Sequence, residues 1–143
     1  MGFKANVEEE ALIQQHRFKE HVIEKHTSAT DLRLCVCVRK RPLFDKERTE
    51  GDNDAVSCAN PYIVVHFPKM RVDGITKYID NNKFTFDNTF NQNESTEDLY
   101  HYSLDGLLPE LFLESYVTVF AYGQTGSGKT YTMVSVCVLR QEE

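Results

Sequence analysis

The sequence lacks the cysteine patterns that build small secreted scaffolds or zinc sites. It contains four cysteines, and no two of them form a CxxC pair or stand beside histidines at a ligand spacing. We therefore interpret them as free, mostly buried thiols. Two of them, Cys35 and Cys37, are two residues apart, so on a strand they share one face.

Long apolar runs and a basic excess are also missing. No run approaches the roughly 18 to 20 apolar residues that cross a bilayer, so we expect a cytoplasmic protein with no membrane partner. The net charge of −6, from 16 basic and 22 acidic residues, argues against a nucleic-acid partner. Four basic residues lie between Arg33 and Arg41, whereas residues 87–128 hold seven acidic residues and no Lys or Arg.

The first half of the chain is predicted to contain one polar helix and several strands. Residues 8–26 are typical of a polar helix with a narrow apolar stripe, formed by Leu12, Phe18, Val22 and Ile23. Residues 32–38 are apolar enough for a first strand buried on both faces. Residues 45–54 are polar and turn-like. Residues 62–67 and 84–86, joined through a turn near 80–82, indicate a small antiparallel sheet.

The second half is predicted to alternate between helix and strand. Residues 95–98 form a capping-box pattern, with a hydroxyl three residues before an acid, and therefore begin a helix. Gly106 and Pro109 predict a break in that helix. Residues 116–122 are strongly β-prone and end directly on a glycine-rich stretch, after which residues 131–138 begin another helix.

That stretch matches the pattern G-x(4)-G-K-[ST] of a P-loop, which binds nucleotide phosphates. Its glycines let successive backbone N–H groups turn inward toward an anion at the start of the next helix. Lys129 supplies a charge for the β- and γ-phosphates, and the Thr130 hydroxyl is a candidate Mg²⁺ ligand. A glycine-rich turn without a ligand is the alternative. The predicted ATP-binding residues here are Gly123, Gln124, Thr125, Gly126, Ser127, Gly128, Lys129 and Thr130.

Two segments resemble the kinesin motor family almost residue for residue. Residues 120–133 (FAYGQTGSGKTYTM) are similar to its nucleotide-binding signature, and residues 39–42 (RKRP) match the RxRP element that closes its first strand. The resemblance implies a P-loop NTPase fold of the α/β class, with ATP and Mg²⁺ as cofactors and microtubules or tubulin as partner. It places Arg39, Arg41 and Pro42 at the adenine, although a basic strand end that only reaches solvent would look alike. Tyr131 stands where many kinesins have a histidine, and either ring can stack on a base.

Residues 34–43 are most similar to the internal-motor kinesins, which depolymerise microtubule ends. Those proteins carry a Lys-Val-Asp tip on an extended hairpin, and Arg71, Val72 and Asp73 occupy the matching place. Arginine keeps the charge of lysine. The resemblance therefore implies a tubulin-binding tip here, while a surface turn of mixed charge is the alternative.

The resemblance covers residues 32–133 and only the N-terminal part of a motor domain. We expect residues 1–31 to be a helical extension and residues 134–143 a divergent tail. No segment resembles switch I or switch II, so we expect a chain that binds ATP without hydrolysing it. The hypotheses are a truncated cytoskeletal motor or depolymerase, a non-catalytic nucleotide- or tubulin-binding fragment, and an interaction helix at residues 8–26.

Overall fold

The chain forms short helices and short strands, and the strands make two small sheets. The computed structural model describes residues 7–17, 24–113 and 115–139. Helices are α1 (Val7–His16), α2 (Asp45–Glu50), α3 (Thr96–Ser103), α4 (Leu108–Leu111) and α5 (Lys129–Leu139), with 3-10 turns at Ala29–Asp31 and Asp105–Leu107. Strands are β1 (Cys37–Arg39), β2 (Val56–Ala59), β3 (Tyr62–Met70), β4 (Lys77–Thr85) and β5 (Asn88–Phe90).

One sheet is antiparallel, in the order β2-β3-β4, which confirms the small antiparallel sheet predicted from the sequence. Ile63, Val64 and Ile79 are the buried hydrophobic residues of β3 and β4, and because Ile63 and Val64 are neighbours on one strand, both faces of the sheet are covered at that point. Strands β3 and β4 pair along their full length, from Tyr62 opposite Thr85 to Met70 opposite Lys77. They therefore form one long hairpin whose turn lies at residues 71–76.

Two details of this hairpin correct the sequence prediction. Residues 80–82 lie inside β4, because the turn comes earlier, and β3 runs past Phe67 to Met70 through Pro68. Strand β2 pairs only with residues 62–65 of β3, so β3 is an edge beyond that point. A proline, which has no N–H to donate, is tolerated on such an edge.

The second sheet is a parallel pair of β1 and β5, in which Cys37, Val38 and Arg39 lie opposite residues 88–90. A first strand over residues 32–38 was predicted, and the prediction is wrong for residues 32–36. Strand β5 is only three residues long and is the one partner of β1 in the described part of the chain. Leu34 and Val36 are accordingly 71% and 42% exposed, not buried on both faces.

Residues 116–122 were predicted as the strand that leads into the glycine-rich loop, and the structure contradicts this. They carry no strand pairing, and Tyr116 and Tyr122 are almost fully exposed. Valines and aromatic residues favour a strand only when a neighbouring strand supplies hydrogen bonds and packing. No described strand lies beside this segment.

A compact core lies between β5, α3 and α5. It consists of Phe90, Leu99, Tyr100 and Val136, with Cys37 packed against it. This packing holds β1 close to α5, and the hydrogen bond from Arg39 to Thr132 brings the RxRP element to the first turn of that helix. Elements that are far apart in the sequence, from β1 to α5, therefore meet around this core.

The predicted helix starts are well reproduced at α3 and α5. Ser95 Oγ accepts the Asp98 N–H at 3.0 Å and the Asp98 carboxylate accepts the Ser95 N–H at 3.1 Å, which confirms the capping box. α3 ends at Ser103 and a short α4 follows, so the break predicted at Gly106 and Pro109 is confirmed. The predicted helix over 131–138 is confirmed within α5.

Two other helices differ from the prediction. α2 occupies residues predicted as a turn, because the Glu47 carboxylate accepts the Phe44 N–H and Gly51, at φ 84°, closes the helix. α1 ends at His16, and residues 24–26 are not helical. Of the predicted stripe, Leu12 is half-buried beside the fully buried Ile13, while Phe18, Val22 and Ile23 fall outside the described residues.

The four cysteines are free thiols. Cys35, Cys37 and Cys58 are half-buried, whereas Cys137 is exposed, so burial is less complete than predicted. Over the described ranges, no helix has the length and apolar content to cross a membrane. No cluster of three or more His, Cys, Asp or Glu side chains is placed to hold a metal ion in those ranges.

Candidate nucleotide-binding site

The glycine-rich loop, residues 123–128, turns sharply before α5 and depends on glycine for that path. Gly123 and Gly126 have φ of 155° and 84°, where side chains are strained. A Cβ at Gly123 would also lie 2.6 Å from Ser127 Oγ. Glycine at these two positions therefore lets the backbone take this path, and it adds no side chain where a phosphate would approach.

Lys129 is the first residue of α5 and reaches back across the loop. Its Nζ donates hydrogen bonds to the carbonyl oxygens of Gly123 and Gln124, each at 2.8 Å. The ammonium thus lies at the beginning of the loop, and the loop ends at the start of α5, where the first N–H groups of a helix have no partner within it. A positive charge and free donors converge on one small region, which suits a polyphosphate.

Thr130 follows on the first turn of α5 and is exposed. A threonine hydroxyl oxygen at this position is an ordinary ligand for Mg²⁺ bound with phosphates. The residues present therefore fit a magnesium–nucleotide complex, in which most metal ligands come from phosphate and water.

Arg39 brings the RxRP element to the same helix. Its guanidinium donates to Thr132 Oγ1 at 3.2 Å and to Thr96 Oγ1 at 2.9 Å. It also lies 5.6 Å from the centre of the Tyr131 ring, a distance typical of a cation–π contact. Tyr131 is 67% exposed, so one face of its ring remains available beside the loop.

Arg41 points the other way. Its guanidinium forms a two-pronged ion pair with the Glu47 carboxylate and lies 4.4 Å from the centre of the Phe44 ring. Only its stem approaches the loop, since a Cβ at Gly128 would lie 4.0 Å from the Arg41 Cβ. Pro42 follows and is exposed. The structure therefore brings Arg39 to Tyr131 but directs the Arg41 charge toward α2.

Lys40, between these arginines, anchors the end of β1. Its Nζ donates to the Asp54 carboxylate at 2.7 Å and to the Val56 carbonyl at 2.8 Å. Burial alone would raise the pKa of Asp54, but the hydrogen bond from Lys40 and the charges of Lys40 and Arg17 hold it below its usual value. This tie joins the residue that follows β1 to the start of β2.

Sequence reasoning missed the partners of Arg39. Thr96 and Thr132 lie 57 and 93 residues from Arg39 in the chain, so their pairing depends on the tertiary structure. Thr132 belongs to the segment that resembles the nucleotide signature, but nothing in the residue pattern marks it as an anchor for an arginine. Thr96 was assigned only to the start of α3.

Comparison with known proteins shows the family of this chain. The profile of the kinesin motor domain matches residues 39–142, which is most of the chain. The chain belongs to the kinesin motor family. It is 41% identical over 134 residues to diatom spindle kinesin-1 from Cylindrotheca fusiformis. That alignment covers 93% of this chain and 22% of the relative, so the chain spans about a fifth of the kinesin it matches.

Membership in this family fits the fold described above. The chain has the α/β fold of the N-terminal part of a kinesin motor domain, with a small antiparallel sheet and a pair of parallel strands. The matched residues include the glycine-rich loop, α5 and the RxRP element. The residues gathered around Lys129 are therefore those of a kinesin motor segment.

The hairpin tip, residues 71–76, lies at the far end of β3 and β4. Asp73 Oδ1 accepts the N–H groups of Ile75 at 3.0 Å and Thr76 at 2.9 Å, and its Oδ2 accepts the Thr76 hydroxyl at 2.6 Å. The hydroxyl and these N–H groups hold the pKa of Asp73 below its usual value. Asp73 therefore shapes the tip, while Arg71 and Val72 are exposed, Val72 completely.

The Arg41–Glu47 pair predicts a pH dependence for α2. The hydrogen bond from Arg41, followed by that from the Phe44 N–H, lowers the pKa of Glu47 to about 2. Because its pKa is lowered on folding, the ionised Glu47 stabilises the folded state. This contribution is complete above about pH 4.5 and is lost as the pH falls through about 2. We expect Glu47→Gln to lower the melting temperature slightly at neutral pH, since the pair is near solvent.

Thermal unfolding of wild type and Glu47→Gln at a series of pH values measures this. The difference in melting temperature should stay constant down to about pH 4.5 and close toward pH 2. A difference that widens on acidification would contradict the assignment. Glu50→Gln, on the same helix and part of an exposed pair with Lys46, is the matched control.

Proposed function

We propose that residues 123–131, together with the RxRP element, bind ATP with Mg²⁺. The observation that carries this proposal is the convergence of the Lys129 ammonium, the glycine cradle and the start of α5 on one region. The loop N–H groups and Lys129 bind phosphate oxygens, and Thr130 is a ligand of the metal ion. When bound, Mg²⁺ neutralises phosphate charge.

The adenine is proposed to lie against Tyr131. Arg39 supports this side, because two threonine hydroxyls hold its guanidinium near the ring and its remaining N–H groups are free to face a base. Pro42 and the stem of Arg41 border the same region. Glu47 holds the Arg41 charge, so Arg41 contributes packing here and not a direct ion pair with phosphate.

Binding of a fluorescent ATP analogue, followed by anisotropy, tests this function. We expect saturable binding that unlabelled ATP displaces and that weakens when EDTA removes Mg²⁺. Inorganic tripolyphosphate should displace the analogue less well than ATP, because it lacks the base that contacts Tyr131. If no saturable binding occurs on folded protein, the loop is only a glycine-rich turn.

We also propose that the protein acts on microtubules, within the cytoskeleton, as the larger kinesins do. Its similarity to a spindle kinesin supports this proposal. We divide the chain into an N-terminal extension of residues 1–31, a motor segment of residues 32–133 and a tail of residues 134–143. α1 belongs to the N-terminal extension and packs on the hairpin, where Lys77 Nζ donates a hydrogen bond to the Glu9 carboxylate at 3.1 Å.

The hairpin tip is proposed as a contact with tubulin, of the kind that internal-motor kinesins use to disassemble filament ends. Its support is the exposure of Arg71 and Val72 on a turn that Asp73 holds in shape. Tubulin is an acidic partner in this proposal, so a single exposed cation beside an apolar residue suits it.

We expect Arg71→Ala to weaken binding of this chain to tubulin by about threefold to tenfold, since one lost charged contact is worth about 1 kcal/mol. Asp73→Ala should weaken it as well, but by altering the turn. Lys46→Ala, which removes an equally exposed charge from α2, is the control.

Co-sedimentation with tubulin polymers at several salt concentrations measures these affinities. Equal losses for Arg71→Ala and Lys46→Ala would show that only the overall charge matters. A normal binding curve for Asp73→Ala, with an altered turn confirmed by NMR, would remove the hairpin tip from the interface.

A further inference from the structure

The thiols of Cys35 and Cys37 lie close together at the start of β1. Their sulfur atoms are 3.5 Å apart, so one thiol donates a weak hydrogen bond to the other. It is the one sulfur–sulfur contact among the described residues, with Cys58 on β2 and Cys137 on α5. Both sulfurs lie on the same side of the segment, half-buried and within reach of small molecules.

The backbone between the two thiols is held by two hydrogen bonds to Asp87. The Val36 N–H donates to the Asp87 carboxylate at 2.7 Å, and the Asp87 N–H donates to the Val36 carbonyl at 3.2 Å. Cys37 in addition packs against the core at Phe90. The short distance is thus a property of a pinned segment, and not of two freely turning side chains.

Their spacing suits a shared centre better than a disulfide. Two sulfurs bonded to one atom at about 2.3 Å, with a bond angle between about 90° for a pyramidal trivalent atom and about 109° for a tetrahedral one, lie about 3.3 to 3.8 Å apart. The observed 3.5 Å falls inside this range. A disulfide needs about 2.05 Å, which this pinned segment reaches only by bending.

We propose that Cys35 and Cys37 form a dithiol site that binds a soft, thiophilic metalloid, such as a trivalent organoarsenical, across both sulfurs. Soft thiolates select soft acceptors over Mg²⁺ or Ca²⁺. With phenylarsine oxide, two S–As bonds form, the As=O bond breaks, and the two thiol protons leave with that oxygen as water. Arsenic stays trivalent, so the reaction needs no oxidant.

The protonation of the two thiols favours such a reagent over simple alkylation. Burial raises the pKa of Cys35, and burial followed by the neighbouring sulfur raises the pKa of Cys37 to about 12. Both groups are therefore thiols at neutral pH and weak nucleophiles. Binding through both sulfurs compensates for this weak nucleophilicity, because the second S–As bond forms within a complex that the first bond has already made.

Native mass spectrometry of the full chain with phenylarsine oxide tests the site. We expect one adduct that survives an excess of a monothiol and is removed by a dithiol. Cys35→Ser should lose the resistant adduct, from nearly complete occupancy to background. Cys58→Ser and Cys137→Ser are the matched controls and should behave as wild type does.

A resistant adduct that persists in Cys35→Ser, or a wild-type adduct that the monothiol strips off, overturns the proposal. Cys37 touches the core, so Cys37→Ser is a second variant, checked by circular dichroism. Because Cys35 is outside the strand and the core cluster, Cys35→Ser decides the outcome even if Cys37→Ser does not fold.

Discussion

Replacing Lys129 with alanine is expected to reduce ATP affinity by about a hundredfold or to below detection. In the proposed site the Lys129 ammonium, which in the free loop is held by the carbonyl oxygens of Gly123 and Gln124, binds phosphate oxygens. A hydrogen bond to a charged group is worth about 1.5 to 3 kcal/mol, and every 1.4 kcal/mol is about tenfold in affinity. Anisotropy with a fluorescent ATP analogue measures the change.

Two further variants separate the charge of Lys129 from its tie to the loop. Lys129→Gln keeps hydrogen-bond donors without the charge and should recover only a small part of the affinity. Lys40→Gln, a nearby lysine held by Asp54 on the other side of β1, should bind ATP within about threefold of wild type, because it makes no phosphate contact in the proposed site. Equal affinity of wild type and Lys129→Ala would show that no phosphate site forms here.

Replacing Phe90 with alanine is expected to lower the free energy of unfolding by about 3 to 5 kcal/mol. Phe90 is completely buried, and its ring stacks on His26 with the ring centres 4.5 Å apart. The free energy of unfolding of a small domain is only about 5 to 15 kcal/mol, so this substitution removes a large part of it. Urea unfolding followed by circular dichroism measures the loss.

Phe112→Ala is the matched control, because Phe112 is 88% exposed and its removal should change stability by less than about 0.5 kcal/mol. Similar urea midpoints for Phe90→Ala and wild type would mean that β5 and α3 do not form the core. Since Phe90 lies opposite Arg39 in the parallel pair, its loss should also weaken nucleotide binding.

Features that depend on neighbours in sequence could be predicted. The capping box at Ser95, the break at Gly106 and the glycine cradle each follow from a local rule about side chains and backbone angles. The long hairpin also follows from a local pattern, although its turn was placed too late. Its β-prone runs indicate two paired strands, but not where the chain reverses.

Features that depend on residues distant in the sequence could not be predicted. Residues 116–122 have the composition of a strand but no described partner, and β1 is shorter than its apolar run because β5 offers only three residues. The anchoring of Arg39 by Thr96 and Thr132 has no local signal at all. The direction of Arg41 depends on Glu47, six residues away, within a helix that polarity alone does not reveal.

The three hydrogen bonds that Asp73 accepts have a consequence for recognition. They give the hairpin tip its shape in the free protein, whereas ordering a flexible backbone on binding costs about 1 to 2 kcal/mol per residue. A pre-organised tip avoids most of this entropy loss. A single exposed turn can therefore contribute to affinity. A partner that fits the hairpin tip binds a backbone that already has the required conformation.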